Sequence, residues 1–314
     1  MCFRFPRIVL LTMCFTGPGC GESSHGPKAA GRLAPPAPVA AQAQPARVLH
    51  VVADPNNLPF SNDKLEGFEN RLAELIAREM GAKVQYAWRA QRRGFFRHAF
   101  QDDGGDVVLG VPTGFDRALT TAPYYRSSYA FVYRADRGLD VKSLDDPALR
   151  KLKIGIQLAG DESSGPPPAF ALARRGLVDN MVGYSLYGDY TEPNPPARVV
   201  DAVANGEVDV AIVWGPLAGY CAKHEAVPLT VVPVSPAVDP PAMRFAFDIS
   251  VGVRKGGKDL RDEINGILAR NRDEVDKILD AYGVPRVDGT AGDNEAKSPG
   301  TAIPGFGTAG AKVE

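Results

Sequence analysis

Two spacings of apolar residues alternate between residues 47 and 287. Continuous apolar runs of about five residues are typical of buried strands, whereas apolar residues that recur every three or four positions indicate amphipathic helices. In the first part of this region the pattern predicts strands at residues 48–53, 84–88, 107–111 and 129–133, and helices at residues 68–80 and 95–100. Gly81 follows the first helix, at a position where glycine commonly ends a helix.

The alternation begins again near residue 153. It predicts strands at residues 153–157, 182–186, 208–213, 229–234 and 245–253, and helices at residues 167–175, 196–203, 260–268 and 275–282. Such alternation implies an α/β protein with mostly parallel sheets covered by helices. Two consecutive series predict two lobes around a central cleft, and the long strand 245–253 is expected to pass between them. The first lobe would comprise residues 47–135 and 243–287, and the second residues 136–242.

The two ends of the chain differ from this pattern. Residues 1–20 have the features of an export signal, because Arg4 and Arg7 precede an apolar run that is followed by small residues. Cys20 is a candidate for lipid attachment, although Gly17 stands where a lipoprotein signal usually has Leu. The Ala- and Pro-rich residues 21–46 predict an extended linker, and the composition of residues 288–314 predicts a disordered tail. We therefore expect export to the periplasm, either free or lipid-anchored.

Composition narrows the classes of function. The 314 residues carry a net charge of −1, which gives no indication of nucleic-acid binding, and no apolar run reaches the length of a membrane span. Of the four cysteines only Cys221 falls in the folded region, so no disulfide framework is predicted. The histidines lack metal-ligand spacing, and no nucleotide-binding or hydrolase motif occurs. We predict no enzyme activity, no cofactor and no metal.

Three segments resemble the family 3 extracellular solute-binding proteins, the polar amino-acid binders of ABC importers. They are HVVADPNNLPFSNDKLEGFENRLAELIAREMGAKVQY, DVVLGVPTGFDRALTTAPYYRSSYAFVYR and VVDAVANGEVDVAIVWGPLAGY. The resemblance covers nearly the whole folded region. It implies the two-lobed, type II periplasmic-binding-protein-like fold, with mixed, mostly parallel sheets flanked by helices.

Other segments resemble one branch of that family more closely, the quinoprotein dehydrogenase-associated proteins of methanol oxidation systems. They are IGIQLAGDESSGPPPAFALARRG, YGDYTEPNPPARVVDAVANGEVDVAIVWGPLAGY and FDISVGVRK. The branch implies an accessory protein that assists maturation or activation of a PQQ-dependent alcohol dehydrogenase, together with its c-type cytochrome, through protein contact. The alternative is a receptor of an ABC importer for a small polar or carboxylate solute.

The resemblance also indicates which residues face the cleft. Arg117 falls where the family has an Arg that binds the ligand carboxylate, a contact that a guanidinium can make with two hydrogen bonds. The alternative is a structural Arg that pairs with Asp116 or with a neighbouring element. The further cleft candidates are Asp54, Phe60, Thr113, Gln157 and Trp214. Asp54 and Phe60 are expected there because they follow the first strand, and the alternative is that this Asn- and Pro-rich loop only forms a turn.

Two other anchor positions depart from the amino-acid binders. Pro112 and Gly114 stand where those proteins have Thr, and Pro112 has no backbone N–H to donate. Trp214 and Gly215 stand where they have Asp. The indole of Trp214 offers one N–H donor and an apolar face, against which an ammonium could still bind by a cation–π contact. An ordinary α-amino acid therefore fits this sequence less well than it fits the family.

A Tyr- and Pro-rich segment, YSLYGDYTEPNPPAR, lies between a predicted strand and a predicted helix. Tyr184, Tyr187 and Tyr190 are candidate contacts for a partner protein, because tyrosine combines a large apolar area with a polar tip. The alternative is a loop that packs on its own lobe.

Overall fold

The computed structural model describes residues 47–92, 94–158, 165–185 and 190–288. The expected export signal and linker lie outside the described residues, as do Tyr187 and residues 289–314 of the expected tail.

The described residues contain fourteen strands and seven α-helices in mixed order. The strands are β1 (Arg47–Ala53), β2 (Asn56–Asn57), β3 (Ser61–Asn62), β4 (Ala82–Trp88), β5 (Val107–Pro112), β6 (Leu119–Thr120), β7 (Tyr125–Arg134), β8 (Ile154–Leu158), β9 (Met181–Ser185), β10 (Val210–Trp214), β11 (Leu229–Pro233), β12 (Val238–Asp239), β13 (Met243–Arg244) and β14 (Ala246–Val253). The helices are α1 (Phe68–Glu79), α2 (Phe95–Gln101), α3 (Pro167–Arg174), α4 (Arg198–Ala204), α5 (Gly215–His224), α6 (Lys258–Arg270) and α7 (Arg272–Ala281).

The main sheet has the strand order β4-β1-β5-β14-β7-β10-β8-β9. In its first half β1 runs parallel to β4 and β5, and in its second half β8 runs parallel to β9 and β10. The parallel strands are those joined by helices, as the alternating pattern predicts. The strands β7 and β14 are antiparallel to their neighbours and lie between the two halves.

The long strand β7 connects the two halves of the sheet. Its first residues, from Tyr125 to Ser128, pair with β14 of the first half. From Tyr129 onward, it pairs instead with β10 and β11 of the second half. The sequence pattern predicted β14 as the connecting strand, but among the described residues β14 pairs with β5, β6 and β7 and with no strand of the second half.

Helix α1 shows how the apolar pattern becomes packing. Leu72, Leu75 and Ile76 recur at helical spacing and are almost completely buried in the core. Gly67 precedes the helix, and a Cβ atom there would lie 2.0 Å from the carbonyl oxygen of Phe60. This close approach fixes the loop after β1 against the start of α1.

Helix α5 was not predicted from the sequence, because Gly215, Pro216 and Gly219 weaken its helical pattern. Tertiary contacts explain it. A Cβ atom at Gly219 would lie 1.9 Å from the carbonyl oxygen of Gly283, so the helix packs closely on the segment after α7. Among the residues that the structure describes, neither α5 nor any other helix combines the length and apolar character needed to cross a membrane.

Candidate functional site

The candidate site lies where the parallel strands of both halves end. Ligands of open α/β sheets bind beyond the carboxyl ends of the strands. In the first half, β1, β4 and β5 lead into loops that carry Asp54, Arg92 and Arg117. In the second half, β8 and β10 end at Leu158 and Trp214. We refer to the side chains at these strand ends as the cleft residues.

Asp54 is buried, with 1% of its surface exposed, and both of its carboxylate oxygens accept hydrogen bonds. The backbone N–H of Asn56 donates to Oδ1 over 2.8 Å, and that of Gln91 donates to Oδ2 over 2.7 Å. The hydroxyl of Tyr190 also donates to Oδ2, over 2.7 Å. Burial raises the pKa of Asp54 above its ordinary value, and these hydrogen bonds oppose that shift, the one from Tyr190 most strongly. The carboxylate is therefore a bound structural acceptor in this conformation.

Arg117 lies exposed in the turn after β5. Within the described residues, no hydrogen bond or ion pair engages its guanidinium, so the expected alternative of a pair with Asp116 is not observed. Thr113 is close by in sequence and also exposed, and its hydroxyl lies 2.6 Å from that of Ser250. An uncommitted guanidinium at a strand end provides the positive charge that a carboxylate or another anion requires.

Trp214 ends β10 but does not present an open ring. It is 5% exposed and packs edge-on against Tyr129 and Phe247 at ring-centroid distances of 5.5 and 6.0 Å. The ring of Trp214 is thus part of the core rather than an open face of the cleft.

The remaining cleft candidates, Phe60 and Gln157, each contact a residue of the same half of the sheet and its helices. Phe60 is half-buried and packs on Phe68 with ring centroids 5.4 Å apart. Gln157 donates its side-chain amide to the carbonyl oxygen of Pro196 over 3.0 Å. The structure therefore leaves Arg117 and Thr113 exposed and gives Asp54, Trp214 and Gln157 internal contacts.

The two described tyrosines of the Tyr-rich segment differ in environment. Tyr184 lies on the edge strand β9 and packs against the apolar cluster beneath α4. Tyr190 points the other way, toward Asp54 of the first half, and the guanidinium of Arg92 lies 5.4 Å from its ring centroid. Tyr190 is therefore engaged within the chain.

Two features of the site escaped the sequence analysis. Asn56 follows β1 among Pro and Asn residues that are typical of turns, yet its side chain contacts residues 192 and 194 of the second half. Glu69 could not be recognised from the sequence, because an acidic residue in the first turn of a helix is common and is usually exposed. It is nevertheless buried, and a Cβ atom at Gly110 would lie 2.2 Å from its Oε1. Burial raises the pKa of Glu69 to about 8.

The described residues do not bring metal-ligating side chains together. Within the described ranges, no three His, Cys, Asp or Glu side chains lie close enough together to hold a metal ion. Cys221 lies on the buried face of α5, and burial raises the pKa of its thiol well above the ordinary value. A buried thiol of raised pKa is a packing residue rather than a nucleophile.

A mixed α/β sheet in two halves, with cleft residues at the strand ends, defines a solute-binding protein of the type II periplasmic-binding-protein-like fold. The chain belongs to the bacterial extracellular solute-binding proteins, family 3, whose sequence profile matches residues 49–285.

Particular relatives agree with the closer resemblance. The chain is 33% identical over 240 residues to Protein MoxJ of Methylorubrum extorquens, covering 72% of this chain and 78% of that protein. The crystal structure of MxaJ from Methlophaga aminisulfidivorans matches with a TM-score of 0.65 and 29% identity, over 76% of this chain and 100% of that one. The periplasmic binding protein XoxJ from Methylobacterium extorquens matches with a TM-score of 0.63 and 34% identity, over 77% and 100% of the two chains.

Proposed function

We propose that this protein is a periplasmic accessory protein of a PQQ-dependent methanol or alcohol dehydrogenase system. It would assist maturation or activation of the dehydrogenase through protein contact, without catalysis of its own. The similarity to MoxJ, MxaJ and XoxJ supports a place in methanol oxidation, and the solute-binding family supports export.

The observation that carries this proposal is the state of Asp54. A receptor for a cationic or zwitterionic solute needs a carboxylate that can accept the solute's charge, because a buried unpaired charge is costly. Here both oxygens of Asp54 are bound by groups of the chain itself. The buried Trp214 ring offers no replacement on the opposite side. Among the described residues at the strand ends, Asp54 and Trp214 therefore do not supply an open partner for the ammonium of an amino acid.

Exposed apolar side chains favour contact with a protein. Among the described residues, six large apolar side chains are exposed, and four of them belong to β8, α3, β9 and the turn before β9 in the second half: Leu158, Phe170, Val178 and Val182. The strand β9 is also the edge of the sheet. Exposed apolar groups at a sheet edge are typical of interaction surfaces.

Recovery of the partner from periplasmic extract tests the proposal. We expect the tagged full chain to bind a quinoprotein dehydrogenase in near-stoichiometric amount, as identified by mass spectrometry. The double substitution Phe170→Ser and Val178→Ser should lower that recovery about tenfold, since loss of two apolar contacts removes at least 1.4 kcal/mol. The matched control is Trp88→Ser, which removes a similarly exposed apolar side chain from the first half.

Two outcomes would contradict the proposal. One is an extract that contains the dehydrogenase but yields none with the chain. The other is equal loss of recovery in the control and in the double variant. That result would indicate nonspecific hydrophobic binding rather than a specific binding surface in the second half.

A solute receptor is the second candidate, and Arg117 is the observation that favours it. Its exposed, uncommitted guanidinium could bind a small carboxylate without help from Asp54. This candidate predicts that a panel of mono- and dicarboxylates contains one that raises the melting temperature of the protein. The Arg117→Ala variant should lose that shift, whereas Arg97→Ala, which removes an exposed guanidinium from α2, should retain it.

A further inference from the structure

A segment of the second half is bound at the first-half rim of the cleft. Residues 190–194 follow β9 and lead into α4, yet their hydrogen-bond partners lie 136 to 138 residues earlier in the chain. These partners are Asp54 and Asn56, which stand directly after β1. The contact therefore joins the two halves at the strand ends.

Asn56 contacts the backbone of this segment with both ends of its side-chain amide. Its Nδ2 donates to the carbonyl oxygen of Glu192 over 2.7 Å, and its Oδ1 accepts from the backbone N–H of Asn194 over 2.9 Å. Asn194 has a φ of 46°, in the left-handed region that Asn tolerates better than most residues. A side-chain amide that satisfies a donor and an acceptor of the same backbone holds that backbone in one position.

Tyr190 supplies the side-chain part of the contact. Its hydroxyl donates to Asp54, and its ring lies beneath the guanidinium of Arg92. The hydrogen bond holds the hydroxyl of Tyr190, and the cation–π contact holds its ring. Asn56 of the first half thus binds the backbone of residues 192 and 194, and Asp54 of the first half binds the hydroxyl of Tyr190.

We propose that residues 190–194 form an internal latch, which occupies the first-half rim of the cleft in place of a ligand or partner segment. The latch consists of Tyr190, the backbone of residues 192 and 194, and their partners Asp54, Asn56 and Arg92. Any molecule that uses the Asp54 carboxylate must first displace Tyr190. This inference concerns the protein's own cleft and holds for an accessory protein as well as for a solute receptor.

Chemical labelling of Asp54 tests the latch directly. Treatment of the full chain with a carbodiimide and glycine ethyl ester, followed by mass spectrometry, measures how accessible each carboxylate is. We expect Asp54 to label slowly in the wild-type protein and about tenfold faster in Tyr190→Ala, a ratio that corresponds to about 1.4 kcal/mol of lost protection. Tyr184→Ala is the matched control, because it removes a tyrosine of the same half that lies on β9 and packs against the apolar cluster beneath α4.

Amide exchange provides a second measurement that does not require truncation of the ring. Pro193, Pro195 and Pro196 have no N–H, so a peptide covering residues 190–197 reports on few amides, including that of Asn194. Both Tyr190→Phe and Asn56→Ala should speed exchange in this peptide about tenfold, whereas Tyr184→Phe should not.

The result that would overturn the latch is fast labelling of Asp54 in the wild-type protein. It would equally be overturned if Tyr190→Ala left Asp54 protected, or if the exchange rates of the variants equalled that of the wild type. Neither measurement involves the dehydrogenase, so failure of the latch and failure of the proposed function are distinguishable.

Discussion

Replacement of Glu69 by Gln is expected to remove a large part of the pH dependence of folding stability between about pH 5 and pH 8. The carboxyl has an ordinary pKa of 4.5, and burial raises it to about 8 in the folded protein. Between these two values the folded protein keeps a proton that the unfolded chain has lost. The contribution of Glu69 to the free energy of unfolding is therefore fully present below the pKa of the unfolded chain, and it is lost as the pH rises through the pKa of the folded protein.

The size of this effect follows from the pKa difference. One pKa unit corresponds to about 1.4 kcal/mol, so the wild-type protein should lose on the order of 4 kcal/mol across this window through Glu69 alone. Urea unfolding at pH 5 and pH 8.5 measures the loss. Because Gln does not ionise, the variant should lose several kcal/mol less over the same interval.

A control on the same helix separates this effect from general charge removal. Glu74 is half-exposed and pairs with Arg71 at 3.4 Å on the surface of α1. Glu74→Gln should therefore leave the pH dependence as it is in the wild type. A pH dependence that is equal in wild type and Glu69→Gln would show that the carboxyl of Glu69 is solvated or paired in solution.

The second large effect is expected at Gly67. A Cβ atom there would meet the backbone carbonyl oxygen of Phe60 at 2.0 Å and the backbone nitrogen of Ser61 at 2.6 Å. Backbone atoms cannot rotate away as a side chain can, so Gly67→Ala must push the loop after β1 from the start of α1. Overpacking of this kind costs about 3 kcal/mol, measurable by urea unfolding.

Gly266 provides a comparison with the same substitution. It lies within α6, and a Cβ atom there would meet only the end of the Arg270 side chain, at 3.1 Å. Gly266→Ala should stabilise the protein by about 0.5–1 kcal/mol, because alanine favours a helix over glycine. If both variants changed the free energy of unfolding by the same amount and in the same direction, that result would contradict the close contact between Gly67 and the backbone of Phe60.

Gly67→Ala should also affect the site. The loop that it displaces carries Asn56, whose side chain holds residues 192 and 194. We therefore expect faster amide exchange at Asn194 in this variant, which links the packing of α1 to the latch.

The sequence by itself determined most of the regular elements. The period of the apolar residues predicted α1, the parallel strands and the two closing helices. The reason is that residues on the buried face of a helix or strand recur in the sequence with the period of that element. The resemblance to the solute-binding family predicted the fold, which is confirmed, and identified Asp54 and Arg117 as residues of interest. The assignment of cleft roles to particular side chains remains a prediction.

Only the tertiary structure decided which of these side chains are exposed and free to bind a ligand or a partner. Helix α5 forms despite its glycines because Gly219 packs against Gly283, a contact that no local pattern contains. Asp54 is bound by Tyr190, 136 residues later, and Trp214 is buried against Tyr129 and Phe247. Local spacing determines whether a residue lies on a helix, a strand or a loop. Whether its side chain is exposed or already bonded depends on which distant segment the fold brings against it.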